Sequence, residues 1–228
     1  MTAVAIDGPG GAGKSSVARR VAGELGFLYV DTGALYRAIG LFMLEQGADP
    51  GDPDSVIPLL KGLSVSLEYR DGEQRVLLNG TDVSDKIRSD GVSMAASRVS
   101  PIPEVRSFLL SLQRDLAKSS SVVMDGRDIG TVVLPDAEVK IFLTASPEER
   151  AKRRYLQLTG KGIKASYEDV LADLKQRDYN DSHRSVAPLK LAEDAVLVDT
   201  TDNTLEQSVA RLVGIVEGKI SKRGGARQ

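Results

Sequence analysis

Five short apolar runs, rich in β-branched residues, recur along the chain: TAVAID (2–7), FLYVD (27–31), VVMDG (122–126), EVKIFLTA (138–145) and AVLVDT (195–200). The intervals between them have helical periodicity, and runs of this kind are strands buried on both faces. Strand alternating with helix predicts a parallel five-stranded sheet covered by helices on both sides. Two helix starts are explicit. Ser146-Pro147-Glu148-Glu149 offers an N-cap serine, proline at the first helical position and glutamate three residues after the cap, and Thr204 with Gln207 repeats the box.

Residues 63–87, LSVSLEYRDGEQRVLLNGTDVSDKI, break this rhythm. Val65, Leu67 and Tyr69 alternate with polar residues, Asp71-Gly72 and Asn79-Gly80 are turn pairs, and Arg75 to Leu78 returns between them. A small antiparallel meander inserted in an α/β domain is expected. Helices at about 33–46 and 103–118 would join it to the sheet. The expected division is a core of 1–58 and 88–228, an insertion at 59–87, and a short lid at 155–166 within the core.

Behind the first strand, Gly8-Pro9-Gly10-Gly11-Ala12-Gly13-Lys14-Ser15 has the spacing G-x-x-x-x-G-K-S and leads through Ser16 into a helical pattern. Strand, glycine loop and helix together form a phosphate cradle, because the backbone N–H groups can turn inward and the helix N-terminus adds its positive end. A plain glycine-rich turn is the competing reading. As a phosphate cradle, the loop is expected to bind a nucleoside triphosphate through residues 8–16, with Lys14 on the β/γ-phosphates and the Ser15 hydroxyl on Mg²⁺.

Composition narrows the class. The 228 residues are 41% hydrophobic and 27% charged, ordinary for one globular domain, and no cysteine is present, which excludes disulfides and thiolate chemistry. The first strand begins almost at once, and no apolar stretch approaches membrane-spanning length, so a soluble, cytoplasmic protein is expected; a monomer is expected as a separate matter. Net charge is −2, yet the last eleven residues carry Lys219, Lys222, Arg223 and Arg227 without an acid, leaving −6 elsewhere. That balance argues against a nucleic-acid-binding body, and the tail is expected to be a frayed, solvated end.

Ligands of such sheets sit beyond the carboxyl ends of the strands. After the second run stand Asp31-Thr32-Gly33-Ala34-Leu35-Tyr36-Arg37, and after the third Asp125-Gly126-Arg127-Asp128. Asp125, an acid directly after a buried strand, is the second candidate for ordering Mg²⁺, with a turn cap as its alternative. Arg37 and Arg127 present forks that match phosphate oxygens. Arg150, Arg153 and Arg154 share a helix face, where they repel unless an anion or acids compensate. LTGKGIKAS (158–166) follows as a mobile flap, and Arg177, Asp181 and Arg184 share a second face. A solvated Arg177–Asp181 pair competes with a ligand role there. His183 falls off that face and is expected at the surface. Two anion sites point to phosphoryl transfer onto a small phosphorylated acceptor, without need of a general base.

GPGGAGKSS, DTGALYR, DGRDIGTVV, VKIFLTAS-EERA-RR and RD-ND--R-VAPL, in this order over essentially the whole chain, resemble the bacterial cytidylate kinases. The resemblance implies an adenylate-kinase-like fold and transfer of the γ-phosphate of ATP to CMP or dCMP, with ADP as the second product. It places Thr32, Tyr36, Arg37 and Arg127 at the acceptor phosphate, Ser97, Arg106, Asp128 and Arg184 at the cytosine, and Arg177 and Asp181 near the sugar. Arg150, Arg153 and Arg154 fall where lid arginines approach the transferring group. Thr32 departs from relatives with serine there, which bears on tolerance of the sugar or base. A kinase of the same fold for UMP, AMP or a non-nucleotide acid is the alternative, and a nucleotide-dependent switch is another.

Overall fold

A computed structural model describes residues 1–225. All five apolar runs are strands of one parallel sheet: β1 (Ala3–Asp7), β2 (Leu28–Asp31), and, after the insertion, Val122–Gly126, Val139–Thr144 and Val196–Asp199. β1 lies at the centre, with Val4 paired to both Val123 and Val139. β1 and the Val122–Gly126 strand are buried on both faces, and a strand so covered loses its amphipathic alternation, which is why such runs read as continuous apolar stretches.

The chain resolves into two compact units, Met1–Tyr29 with everything from Ser120 onward, and Val30–Ser119. In the first, α1 (Lys14–Leu25) and the C-terminal helix (Leu205–Gly225) pack Val17, Val21, Val209, Leu212 and Val216 against Val4, Ile6, Ile141, Leu143 and Val198.

The second unit contains α2 (Thr32–Glu45), the short α3 (Pro53–Val56), and the meander of β3 (Val65–Arg70), β4 (Glu73–Leu78) and β5 (Thr81–Asp82). α4 (Asp90–Val99) and α5 (Pro103–Ser119) complete it. The meander turns where expected: Asp71 and Gly72 have φ of 53° and 77°, Asn79 and Gly80 50° and 79°, the positive pairs that two-residue hairpins require. One face of it (Val76, Leu78, Val83) shares a continuous core with Leu35, Ile39, Met43, Val99, Val105 and Leu109. The meander is therefore part of this unit's packing and not a cover held only through its flanking helices. Gly40 allows α2 and α4 to close on each other, since a methyl there would sit 2.8 Å from the Ala96 nitrogen.

The remaining elements follow in the first unit: β6 (Val122–Gly126), β7 (Val139–Thr144), α6 (Pro147–Thr159), α7 (Tyr167–His183), β8 (Val196–Asp199) and α8 (Leu205–Gly225). The box at Thr204 forms in both directions, with Gln207 N–H on Thr204 Oγ1 at 3.2 Å and Thr204 N–H on Gln207 Oε1 at 2.9 Å. At Ser146 only half of it forms. Its hydroxyl accepts the Glu149 N–H, but the Glu149 carboxylate is taken by Arg153, and the Ser146 N–H turns to Thr201. Of the residues expected as lid and flap, 155–159 form the last turn of α6, and only 160–166 are a connector between α6 and α7, with Gly162 in the left-handed region.

The tail corrects an expectation. α8 runs on to Gly225, because a helix anchored by Val209, Leu212 and Val216 extends cheaply once nucleated. Lys219 and Lys222 lie on that helix, and Arg227 lies outside the described residues. No described helix is long and apolar enough to cross a membrane.

Candidate active site

The glycine loop leaves β1 at Gly8, where φ is 150° and a methyl would fall 1.9 Å from the Leu143 carbonyl oxygen, so only glycine can occupy this place. It enters α1 through Gly13, an N-cap in the left-handed region with no side-chain cap and no acid in the first turn. The first N–H groups of α1 are thus left to an anion. Lys14 is buried with its Nζ donating to the Pro9 carbonyl at 2.7 Å. Burial, reinforced by the charge of Arg127, pushes its pKa down to about 7, while Asp125 and Asp7 oppose the shift.

Below Lys14, the Ser15 hydroxyl donates to Asp125 Oδ2 at 2.8 Å, and the Tyr29 hydroxyl donates to Asp125 Oδ1 at 2.9 Å. Asp125 sits at the end of β6 beside β1, in register with Ile6. Sequence reasoning paired Ser15 with Asp125 but missed Tyr29. The available signal was a tyrosine in a buried strand, whose hydroxyl needs a partner. Among the described residues no three acidic or histidine side chains form a metal cage. A hydroxyl and a carboxylate side by side do fit a hard cation that keeps waters and takes its other oxygens from phosphates, which is the habit of Mg²⁺.

Past β6 the chain makes a single π-helical turn, Ile129–Val133, and Asp7 at the end of β1 accepts the Ile129 and Gly130 N–H groups at 2.7 and 2.8 Å. Burial raises the Asp7 pKa to about 6, against the lowering effect of those two hydrogen bonds. Arg127 donates from Nε to Asp181 Oδ2 at 2.8 Å, and a methyl on Gly10 would lie 3.6 Å from its Nη2. Asp128 pairs with Arg184 at 3.3 Å, both side chains only 7% exposed. Arg184 is held in turn by the Ala187 carbonyl at 2.7 Å, and Ala187 has a φ of 47°, an uncommon conformation for a residue with a Cβ. The helical pair expected between Arg177 and Asp181 is replaced by the Arg127–Asp181 pair; Arg177 stays exposed, within electrostatic reach of Arg127, Asp181 and Arg154. His183 is exposed and stacked on Tyr179.

The three arginines of α6 resolve their repulsion separately. Arg150 is buried and donates to the Ala145 carbonyl (2.9 Å), the Gly10 carbonyl (2.9 Å) and Asp178 Oδ2 (2.6 Å). Its guanidinium therefore braces the glycine loop from beneath. Arg153 is held by Glu149 at 2.9 Å and the Thr200 carbonyl at 2.7 Å, with its Nη1 3.9 Å from where a methyl on Gly13 would sit. Arg154 donates to Gln157 at 2.8 Å. Acids balance the first two: Asp178 faces Arg150 and Glu149 faces Arg153. Asp178, which carries the brace for Arg150, had no distinguishing mark in the sequence.

In the second unit, Asp31 N-caps α2 through the Ala34 N–H (2.9 Å) and holds Arg37 Nη2 at 2.7 Å. Gln74 of β4 clamps the Asp31 backbone, accepting its N–H at 2.8 Å and donating to its carbonyl at 3.3 Å. The Arg37 Nε is buried and has no hydrogen-bond partner. Thr32 is buried at the first position of α2. The Arg106 guanidinium lies 5.8 Å from the Tyr36 ring centre and donates to the Ser100 carbonyl at 3.3 Å. Ser97, half-buried on α4, offers its carbonyl to the Ser100 hydroxyl. Asp31 and Gln74 were not singled out from the sequence, because a strand-end acid and an insertion glutamine look the same whether or not they meet.

A family model described as Cytidylate kinase matches residues 4–218. The chain is 53% identical over 209 residues to a protein named Cytidylate kinase from Caldanaerobacter subterraneus subsp. tengcongensis, with 92% of each chain covered. It is 50% identical over 210 residues to the Cytidylate kinase of Caldicellulosiruptor saccharolyticus, covering 92% of this chain and 93% of that one. Among solved structures, an uncharacterized protein from Eubacterium ventriosum shares the fold alone, with a TM-score of 0.54 at 12% identity over 95% of this chain and 99% of that one.

Proposed function

The chain belongs to the cytidylate kinase family, and from that premise we propose that it transfers the γ-phosphate of ATP to CMP or dCMP, giving ADP and CDP or dCDP. One observation carries the reading: the family match runs from residue 4 to 218 and so includes the glycine loop and every acceptor candidate from Thr32 to Arg184. The bond between the γ-phosphorus and its bridging oxygen breaks as an oxygen of the acceptor phosphate bonds to that phosphorus. The acceptor is already an anion, so no base has to remove a proton first.

The roles follow from chemistry. The bare N-terminus of α1 and the loop N–H groups bind the donor phosphates, and Lys14, protonated in their field, offsets charge that moves toward the β/γ bridge. Mg²⁺, held by Ser15 and Asp125, would neutralise phosphate charge. Arg150 keeps the loop in shape, and Arg153 and Arg154 are assigned to the transferring group. Arg127 and, in the second unit, Thr32, Tyr36 and Arg37 are assigned to the acceptor phosphate; the unpartnered Arg37 Nε supports an anion there. Asp128 and Arg184 are assigned to the cytosine with Ser97 and Arg106, and Arg177 and Asp181 to the sugar. A monomer working in the cytoplasm on pyrimidine nucleotides completes the proposal.

The test is ADP release from ATP and Mg²⁺ with purified protein, alone and with each nucleoside monophosphate. Turnover should require an acceptor, with CMP and dCMP both effective and AMP and GMP negligible. ATP consumption indifferent to every acceptor would replace the kinase by a nucleotide-dependent switch.

A further inference from the structure

We propose that Asp7 is a positioning residue for the acceptor: its carboxylate fixes the turn that carries Arg127 and Asp128 to the strand that carries the glycine loop. The inference rests on the reading of those two residues given above. Asp7 is 5% exposed and directly precedes Gly8. Its two oxygens take two consecutive N–H groups, Oδ1 from Ile129 at 2.7 Å and Oδ2 from Gly130 at 2.8 Å. These open the π-helical turn, closed at its other end by the Leu134 N–H on the Ile129 carbonyl at 2.7 Å. The first N–H groups of any helical turn lack partners within it, and here one carboxylate supplies both.

Both ends of the link are rigid. Gly8 is pressed on the Leu143 carbonyl, so the backbone beside Asp7 cannot shift without moving β7. On the other side, a methyl on Gly130 would meet Lys140 Cδ at 3.2 Å and Asp7 Oδ2 at 3.4 Å, so the turn already lies as close to the carboxylate as packing allows. The Lys140 ammonium is engaged elsewhere, on Asp194 at 2.9 Å. A carboxylate is thus buried chiefly to hold two backbone groups. A turn that needed only to be stable would be served by a neutral cap at lower desolvation cost, whereas two charge-assisted bonds fix orientation as well as position.

Asp7→Asn keeps the shape but leaves one amide oxygen for two N–H groups and turns an NH₂ toward the second. The steady-state constants for ATP and for CMP are the readout. No loop N–H group bonds to Asp7, and Lys14, which loses one neighbouring negative charge, keeps its bond to the Pro9 carbonyl, so KM for ATP should stay within about threefold, while KM for CMP should rise about tenfold or more, the effect of one lost buried hydrogen bond at the acceptor turn. Gly130→Ala presses the same turn from the far side and should raise KM for CMP in the same selective way, so the inference stays testable if Asp7→Asn does not fold. An unchanged KM for CMP in either folded variant, or equal rises for ATP and CMP, would overturn it. Failure of the underlying reading looks different: the unsubstituted protein would then show no CMP-dependent turnover at all.

Discussion

Lys14 is where structure and chemistry pull in opposite directions. An ammonium buried beside Arg127 destabilises the empty protein, and the same ammonium is what the donor phosphates require. With a folded pKa of about 7 and an ordinary value of 10.5, both states are protonated below pH 7 and the cost is present in full. Between these values the unfolded chain holds more protons, so this group's contribution to stability rises with pH until the cost is gone. Lys14→Met removes the charge at similar length. Thermal midpoints of the empty proteins should favour the variant at and below pH 7, with the gap closing toward pH 10.5, while turnover falls about 10²-fold or more. A pH-independent gap would contradict the buried-charge account, and near-normal turnover would contradict the role in transfer. The loop's spacing made Lys14 legible in the sequence. The brace beneath it was not, since Arg150 and Asp178 meet only once α6 and α7 have folded.

At the scale of elements, the five strands and the two hairpin turns were legible because burial on both faces and positive-φ pairs leave local signatures. The meander's attachment was not. Alternation of Val65, Leu67 and Tyr69 says that one face is apolar, but not against what it packs, and its partners Leu35, Val105 and Leu109 are up to several elements away. Leu78 is buried in that shared core, so Leu78→Ala should destabilise the protein by about 2–5 kcal/mol, the usual cost of truncating a buried leucine. Chemical denaturation monitored by circular dichroism measures it. A cost near that of an exposed site, below about 0.5 kcal/mol, would contradict the meander's place in that core. The half-formed box at Ser146 teaches a similar lesson: Glu149 stood at the right spacing, yet Arg153, one turn on, is the stronger partner for a carboxylate.

For the molecule as a whole, the central claim is that an ATP-binding loop is joined in one chain to a reader of cytosine. Cytosine presents an amino donor and an N3 acceptor where uracil presents a carbonyl and an N3–H, so a selective site needs a fixed acceptor for the amino group. Asp128 is of that type: its carboxylate is buried and its position is set by Arg184, which the Ala187 carbonyl holds in turn. With UMP that carboxylate, still held by Arg184, would meet a carbonyl oxygen in place of an amino donor, and a buried contact between two acceptors costs roughly 2–5 kcal/mol, or discrimination of about 10²-fold or more. The most direct test is kcat/KM for CMP and for UMP, measured side by side in the native protein and in Asp128→Ala. The account predicts CMP favoured by about 10²-fold or more in the native protein, with the gap narrowed in the variant mainly through loss of activity on CMP. Equal kcat/KM for the two nucleotides in the native protein would contradict it.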